Sequence, residues 1–124
     1  MILLRDYNKE KQIDRIWYNS SMIVYSECYD DPNNAKKDLK VVFKNGGTYL
    51  YKGVLVDDYV MFVHGGLDGS NGKALNKFIK PKAEFEKQEN TDIQLLNEEM
   101  ENIIKARTPK EEDISETKLE NETI

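Results

Sequence analysis

The chain has 124 residues, 39% hydrophobic and 33% charged, with a formal net charge of −5, which is room for one domain of about a hundred residues and a tail. Cys28 is the lone cysteine and His64 the lone histidine, so an internal disulfide and a Cys/His zinc site are both excluded. No apolar run approaches the roughly 18 residues of a membrane span, and Met1-Ile2-Leu3-Leu4-Arg5-Asp6 lacks the length and order of a signal peptide, so a cytoplasmic protein with no membrane partner is expected.

The net charge is unevenly divided. In residues 108–124, Lys110 and Lys118 stand against Glu111, Glu112, Asp113, Glu116, Glu120 and Glu122, a net −4, while the preceding residues hold 16 basic and 17 acidic side chains, a net −1. A body this close to neutral argues against a duplex nucleic-acid binder, which usually carries a strongly basic face, but leaves room for a local anionic pocket.

In chain order, a short apolar start gives way to the polar stretch Tyr7–Gln12, a link or turn. From Ile13 to Tyr29 the sequence is rich in β-branched and aromatic residues and is broken near Asn19-Ser20-Ser21, which predicts two short strands or one bent strand containing Cys28. Asp30-Asp31-Pro32-Asn33-Asn34 is a turn signal, and the Lys-Lys-Asp after it reads as an exposed loop. Leu39 to Phe43, Asn45-Gly46-Gly47 and Thr48 to Val56 spell strand, turn, strand: a β-hairpin. Strand alternation puts Tyr49 and Tyr51 on one face, where they either form a plate on which a base stacks or cover a helix. Asp57-Asp58 ahead of Tyr59-Val60-Met61-Phe62-Val63 suits a helix start.

The stretch from His64 to Lys80 combines a glycine-rich turn with a short helical pattern. Leu75, Phe78 and Ile79 share one face, and Lys73, Lys77 and Lys80 another. With Ser70 or Asn71 as N-cap, the free N–H groups of the helix start, Gly72 among them, and Lys73 would favour a phosphate or carboxylate, and Asn76 offers donor and acceptor atoms beside them. A solvated helix behind a surface loop is the competing interpretation. Pro81 ends this helix, and a mixed segment follows. Thr91-Asp92 then caps a second helix whose Ile93, Leu96, Met100 and Ile103 form a stripe widened by Leu95 and Ile104, to be buried on its own sheet or in a homo-oligomer. The divisions expected are therefore a domain over residues 1–90, a helix over 91–107 and an acidic, mobile tail over 108–124. The fold class is α+β: a small antiparallel β-sheet packed by two short helices, plus a C-terminal amphipathic helix used in oligomerisation.

Catalytic constellations are missing. There is no Ser-His-Asp set and no metal cluster, and Asp57-Asp58 and Glu98-Glu99 read as solvated helix faces, so an enzyme is not expected and no cofactor is implied.

Ser20-Ser21-Met22-Ile23, the central Tyr49-Leu50-Tyr51 and the run Ser70 to Ile79 make residues of about 13 to 85 resemble the KTSC domain of some lysyl-tRNA synthetases. That domain has been suggested to bind RNA. The whole chain, with its helical extension, more closely resembles the phage anti-Thoeris proteins, which sequester the cyclic ADP-ribose isomer made by bacterial TIR enzymes; some of them also hold cyclic oligonucleotides. The resemblance implies an oligomeric, non-enzymatic sponge in the host cell cytoplasm, with pockets between subunits. Such a ligand needs an aromatic plate (Trp17, Tyr49, Tyr51 or Phe78), polar contacts (Asn71, Asn76) and an anion cradle (Gly72, Lys73, Arg107). The chain departs from a cation-rich pyrophosphate site in having only Arg5, Arg15 and Arg107 as arginines. A single-stranded RNA-binding module stacking bases on Tyr49 and Tyr51 is the alternative.

Overall fold

Six strands run in sequence order as one antiparallel sheet, each hydrogen-bonded to the next along the chain: β1 (Ile2–Asn8), β2 (Ile13–Tyr18), β3 (Ile23–Tyr29), β4 (Lys36–Phe43), β5 (Thr48–Leu55) and β6 (Glu84–Gln88). The computed structural model describes residues 1–30, 33–66 and 68–107; the expected acidic tail, residues 108–124, lies outside the described residues. Helices α1 (Val56–His64) and α2 (Asn71–Ala74) fall between β5 and β6, with α2 continuing into a widened turn over Leu75–Ile79, and α3 (Ile93–Arg107) follows β6. The chain divides into a compact unit Met1–Ile93 and a second unit beginning at Gln94. The α+β architecture expected from the sequence is thus present, and none of the helices among the described residues is long and apolar enough to cross a membrane.

Alternation along each strand decides what the helices cover. On β2, Asp14, Ile16 and Tyr18 share one face; with Cys28, Leu39, Val41, Tyr51 and Val54 they meet Phe62 and Val63 of α1 and Leu75 and Ile79 of the widened turn to form the core. The other face carries Trp17 on Tyr25 at 4.7 Å between ring centroids, with the Arg15 guanidinium 4.9 Å above Trp17. Arg15 Nε donates to Tyr25 Oη at 2.8 Å, and the Tyr25 and Tyr29 hydroxyls both donate to Glu27.

The helices begin and end for local reasons. Asp57 and Asp58 stand in the first turn of α1, where its partial positive charge favours them. Gly65 closes α1 with φ of 80°, and a Cβ there would come within 2.6 Å of the Gly69 carbonyl carbon, so only glycine fits this return of the chain. Ser70 is the N-cap of α2, its hydroxyl accepting from Lys73 N–H at 3.2 Å. In the widened turn Lys80 N–H reaches back five residues to Leu75 O at 2.9 Å.

Three local assignments are sharpened or corrected. Residues 1–12 divide into a strand and the expected turn, with β1 pairing with β2 from Ile2↔Tyr18 to Asn8↔Ile13 and the turn confined to Lys9–Gln12. Lys36, Lys37 and Asp38 open β4 instead of forming a loop: their polar side chains suit the exposed end of a strand whose backbone pairs with Leu55 and Val54. The mixed segment after Pro81 holds β6, an edge strand of mostly charged residues with no apolar alternation to betray it.

Candidate functional site

The hairpin and β6 build a cavity of about 800 Å³ on the helix-bearing face of the sheet, within the range of about 300–1,000 Å³ usual for ligand pockets. Tyr51 pairs directly with Phe85 and Tyr49 with Lys87 across β5 and β6, so all four side chains emerge on one face. The rings form a continuous wall: Phe43 meets Tyr49 edge-on at 5.8 Å, Tyr49 lies 6.5 Å from Tyr51, and Phe85 lies 6.0 and 6.4 Å from Tyr49 and Tyr51. Phe85 is 67% exposed, which is unusual for a phenylalanine and leaves its face open to a ligand. Burial pushes the Tyr51 hydroxyl up to about 12, so it stays protonated and able to donate at neutral pH.

Lys44, Lys80 and Lys87 line the same cavity with Asn45 and Asn90. Lys80 Nζ lies 5.9 Å from the Phe43 ring centre and Lys87 Nζ 5.2 Å from that of Tyr49, and Lys87 also donates to Asn90 Oδ1 at 3.4 Å. The turn at the rim is held in shape: Asn45 Oδ1 accepts from Gly47 N–H at 2.9 Å, and Thr91 N–H donates to Gly46 O at 2.9 Å. No carboxylate, imidazole or thiol stands among the described lining residues. Flat apolar rings beside ammonium groups suit an aromatic anion, the rings taking a base and the lysines its phosphates.

Of the nine residues the sequence nominated, Tyr49 and Tyr51 line this cavity together. The others are not among its lining residues. Trp17 belongs to the opposite sheet face and is buried against Tyr25. Asn71, 1% exposed, spends its amide donating to Phe62 O and Val63 O at 2.8 and 3.1 Å, and its Oδ1 accepts from the Met1 amino group. At the helix start, Ser70 is the N-cap expected and takes the Lys73 N–H, and Gly72 is buried beneath Met22. Asn76 and Lys73 are exposed on α2 and the widened turn, and Phe78 is half-buried, with Lys77 Nζ 5.4 Å from its ring centre. Arg107 is the exposed last residue of α3, in the second unit. Sequence reasoning nominated none of the other lining residues, Phe43, Lys44, Asn45, Lys80, Phe85, Lys87 and Asn90 among them; Phe43 alternates with Val41 on a recognised hairpin and was within reach.

A smaller cleft, of about 230 Å³, shares no lining residue with the first and is bordered by Arg5, Tyr7, Asp14, Cys28, Asp30, Lys37 and Tyr59. Its charges pair internally. Arg5 donates from Nε and Nη2 to the two oxygens of Asp14 at 3.0 and 2.7 Å, Tyr59 Oη donates to Asp14 Oδ2 at 2.7 Å, and Lys37 pairs with Asp30. The hydrogen bond to Asp14 raises the Arg5 guanidinium further, fixing its charge. Burial pushes the Cys28 thiol from 9.0 up to about 12. Because the folded value is the higher, the thiol's contribution to stability is complete below pH 9 and is lost as pH rises through about 12. Stability should therefore fall by up to about 1.4 kcal/mol per pH unit from this thiol alone across that window. Urea unfolding of the parent and Cys28→Ala at pH 8, 9 and 10 checks it, the variant losing less on the alkaline side.

Among known proteins, no family model matches this chain and no curated protein matches its sequence.

Proposed function

We propose that this protein binds and sequesters a cyclic ADP-ribose-type signalling nucleotide without degrading it, and so inhibits TIR-based anti-phage defence of the Thoeris kind. What supports this is one cavity joining the Phe43, Tyr49, Tyr51 and Phe85 wall to Lys44, Lys80 and Lys87. An adenine lies on the rings, the pyrophosphate meets the ammonium groups, and Asn45 and Asn90 offer hydrogen bonds to ribose or base. Lysines, asparagines and phenols can hold such a molecule, whereas hydrolysis asks for a positioned base or metal that the described lining does not offer. The protein acts in the host cell cytoplasm as a homo-oligomer, for which the amphipathic sequence of α3 supplies an apolar stripe.

Incubation with extract of TIR-activated cells, removal of unbound solute, heating and mass spectrometry test the proposal. A cyclic ADP-ribose isomer of unchanged mass, at no more than one per site, is the expected product. A hydrolysed nucleotide in catalytic excess would make the protein an enzyme, and recovery of RNA fragments alone would favour the single-stranded RNA module, which would use the same aromatic row.

A further inference from the structure

Gly72 is glycine for reasons of space. It sits in α2 without a positive φ, a position where alanine is the better helix former. A Cβ there would stand 2.6 Å from Met22 Sδ and 3.4 Å from Met22 Cβ and Cγ, against about 3.5–4.0 Å for an ordinary contact. Met22, in the link between β2 and β3, lines the 800 Å³ cavity. Its backbone is held: Met22 O accepts from Lys44 N–H at 2.9 Å and Met22 N–H donates to Ser20 Oγ at 3.2 Å. An added methyl at Gly72 therefore displaces the thioether and leaves the turn where it is. The side chain that lies against Gly72 thus belongs to a residue of the cavity lining, and a thioether is a polarizable apolar surface suited to one side of a planar ring.

We infer that Met22, seated on Gly72, is the size-setting wall of the cavity: the missing Cβ holds the thioether back and keeps the depth that an aromatic anion needs. As applied to the cyclic nucleotide, this rests on the function proposed above; the wall itself does not. Gly72 is a positioning residue, acting through Met22 and touching no ligand.

The test compares the parent, Gly72→Ala, Met22→Ala and the double variant. Each is titrated with the cyclic ADP-ribose isomer and, independently, with anilinonaphthalene sulfonate, an aromatic anion matched to rings and lysines. Methionine-methyl NMR of the unliganded proteins follows the thioether. Gly72→Ala should stay folded, shift the Met22 methyl resonance and weaken both probes about tenfold, the scale of overpacking one methyl group. Adding Met22→Ala to it should bring binding back to the level of Met22→Ala alone, and an unfolding midpoint of Gly72→Ala equal to the parent's separates this from a merely structural role for Gly72. Undiminished sulfonate binding by Gly72→Ala, or no rescue in the double variant, overturns the wall. If the four-protein cycle holds for the sulfonate while the parent binds no nucleotide, the wall stands and the nucleotide function falls.

Discussion

Replacing Lys80 and Lys87 together by glutamate should weaken binding of the cyclic ADP-ribose isomer about a thousandfold. Each charge-assisted hydrogen bond is worth about 1.5–3 kcal/mol, and reversing the sign adds repulsion, so a combined loss of about 4 kcal/mol is modest. Both side chains are exposed, and among the described residues they touch ring faces and Asn90, so the fold has little to lose. Calorimetric titration at two salt concentrations gives a second readout: parent affinity should fall as salt rises, and any residual binding of the variant should respond less. Parent-like binding would move the anion out of this cavity and return attention to Lys73 and Arg107.

The fold was legible wherever a periodic apolar signal met turn chemistry. The Asn45-Gly46 hairpin, the break between β2 and β3, and α1 behind Asp57-Asp58 all stand where those signals put them. Legibility failed at the margins of the sheet. β6 has only Phe85 among charged and amide side chains, and the first half of β4 is Lys36-Lys37-Asp38; edge and end segments are held by backbone pairing, which leaves no trace in side-chain pattern.

Only the Tyr49 and Tyr51 part of the candidate site was legible, for the same reason. Tyr49 and Tyr51 were visible by alternation, but the residues opposite them depend on a register that only the β5–β6 pairing supplies, bringing Phe85 and Lys87 from more than thirty positions away. The glycine-rich stretch has structural uses that its sequence did not announce. Its glycines and polar residues suggested a phosphate loop, yet Asn71 is used to tie α2 to the end of α1, and Gly72 makes room for Met22. Small residues before a helix signal close approach, and the approaching group here is another side chain of the same chain.

Asp14→Ala should be the most destabilising single polar substitution in the smaller cleft, lowering unfolding free energy by about 3 kcal/mol and the melting temperature by about 10 °C. The Asp14 carboxylate is buried on β2, joined to edge strand β1 through two Arg5 hydrogen bonds and to α1 through the Tyr59 hydroxyl. Its removal leaves Tyr59 with a buried donor deprived of its carboxylate, whereas the Arg5 guanidinium, 46% exposed, can turn to water. The helix side of the clamp should consequently dominate the cost. Tyr59→Phe alone removes one of the three bonds and should cost about 1–2 kcal/mol, less than Asp14→Ala, and the double variant should cost less than the two singles added, since both remove the same contact. Calorimetric or urea unfolding of the three proteins measures this coupling. Additive losses would mean that Tyr59 and Asp14 stabilise the fold through separate neighbours. Because no residue of this cleft lines the aromatic cavity, ligand affinity of the folded Asp14→Ala protein should stay within about threefold of the parent; a larger drop would show that the two ends of the sheet are energetically coupled.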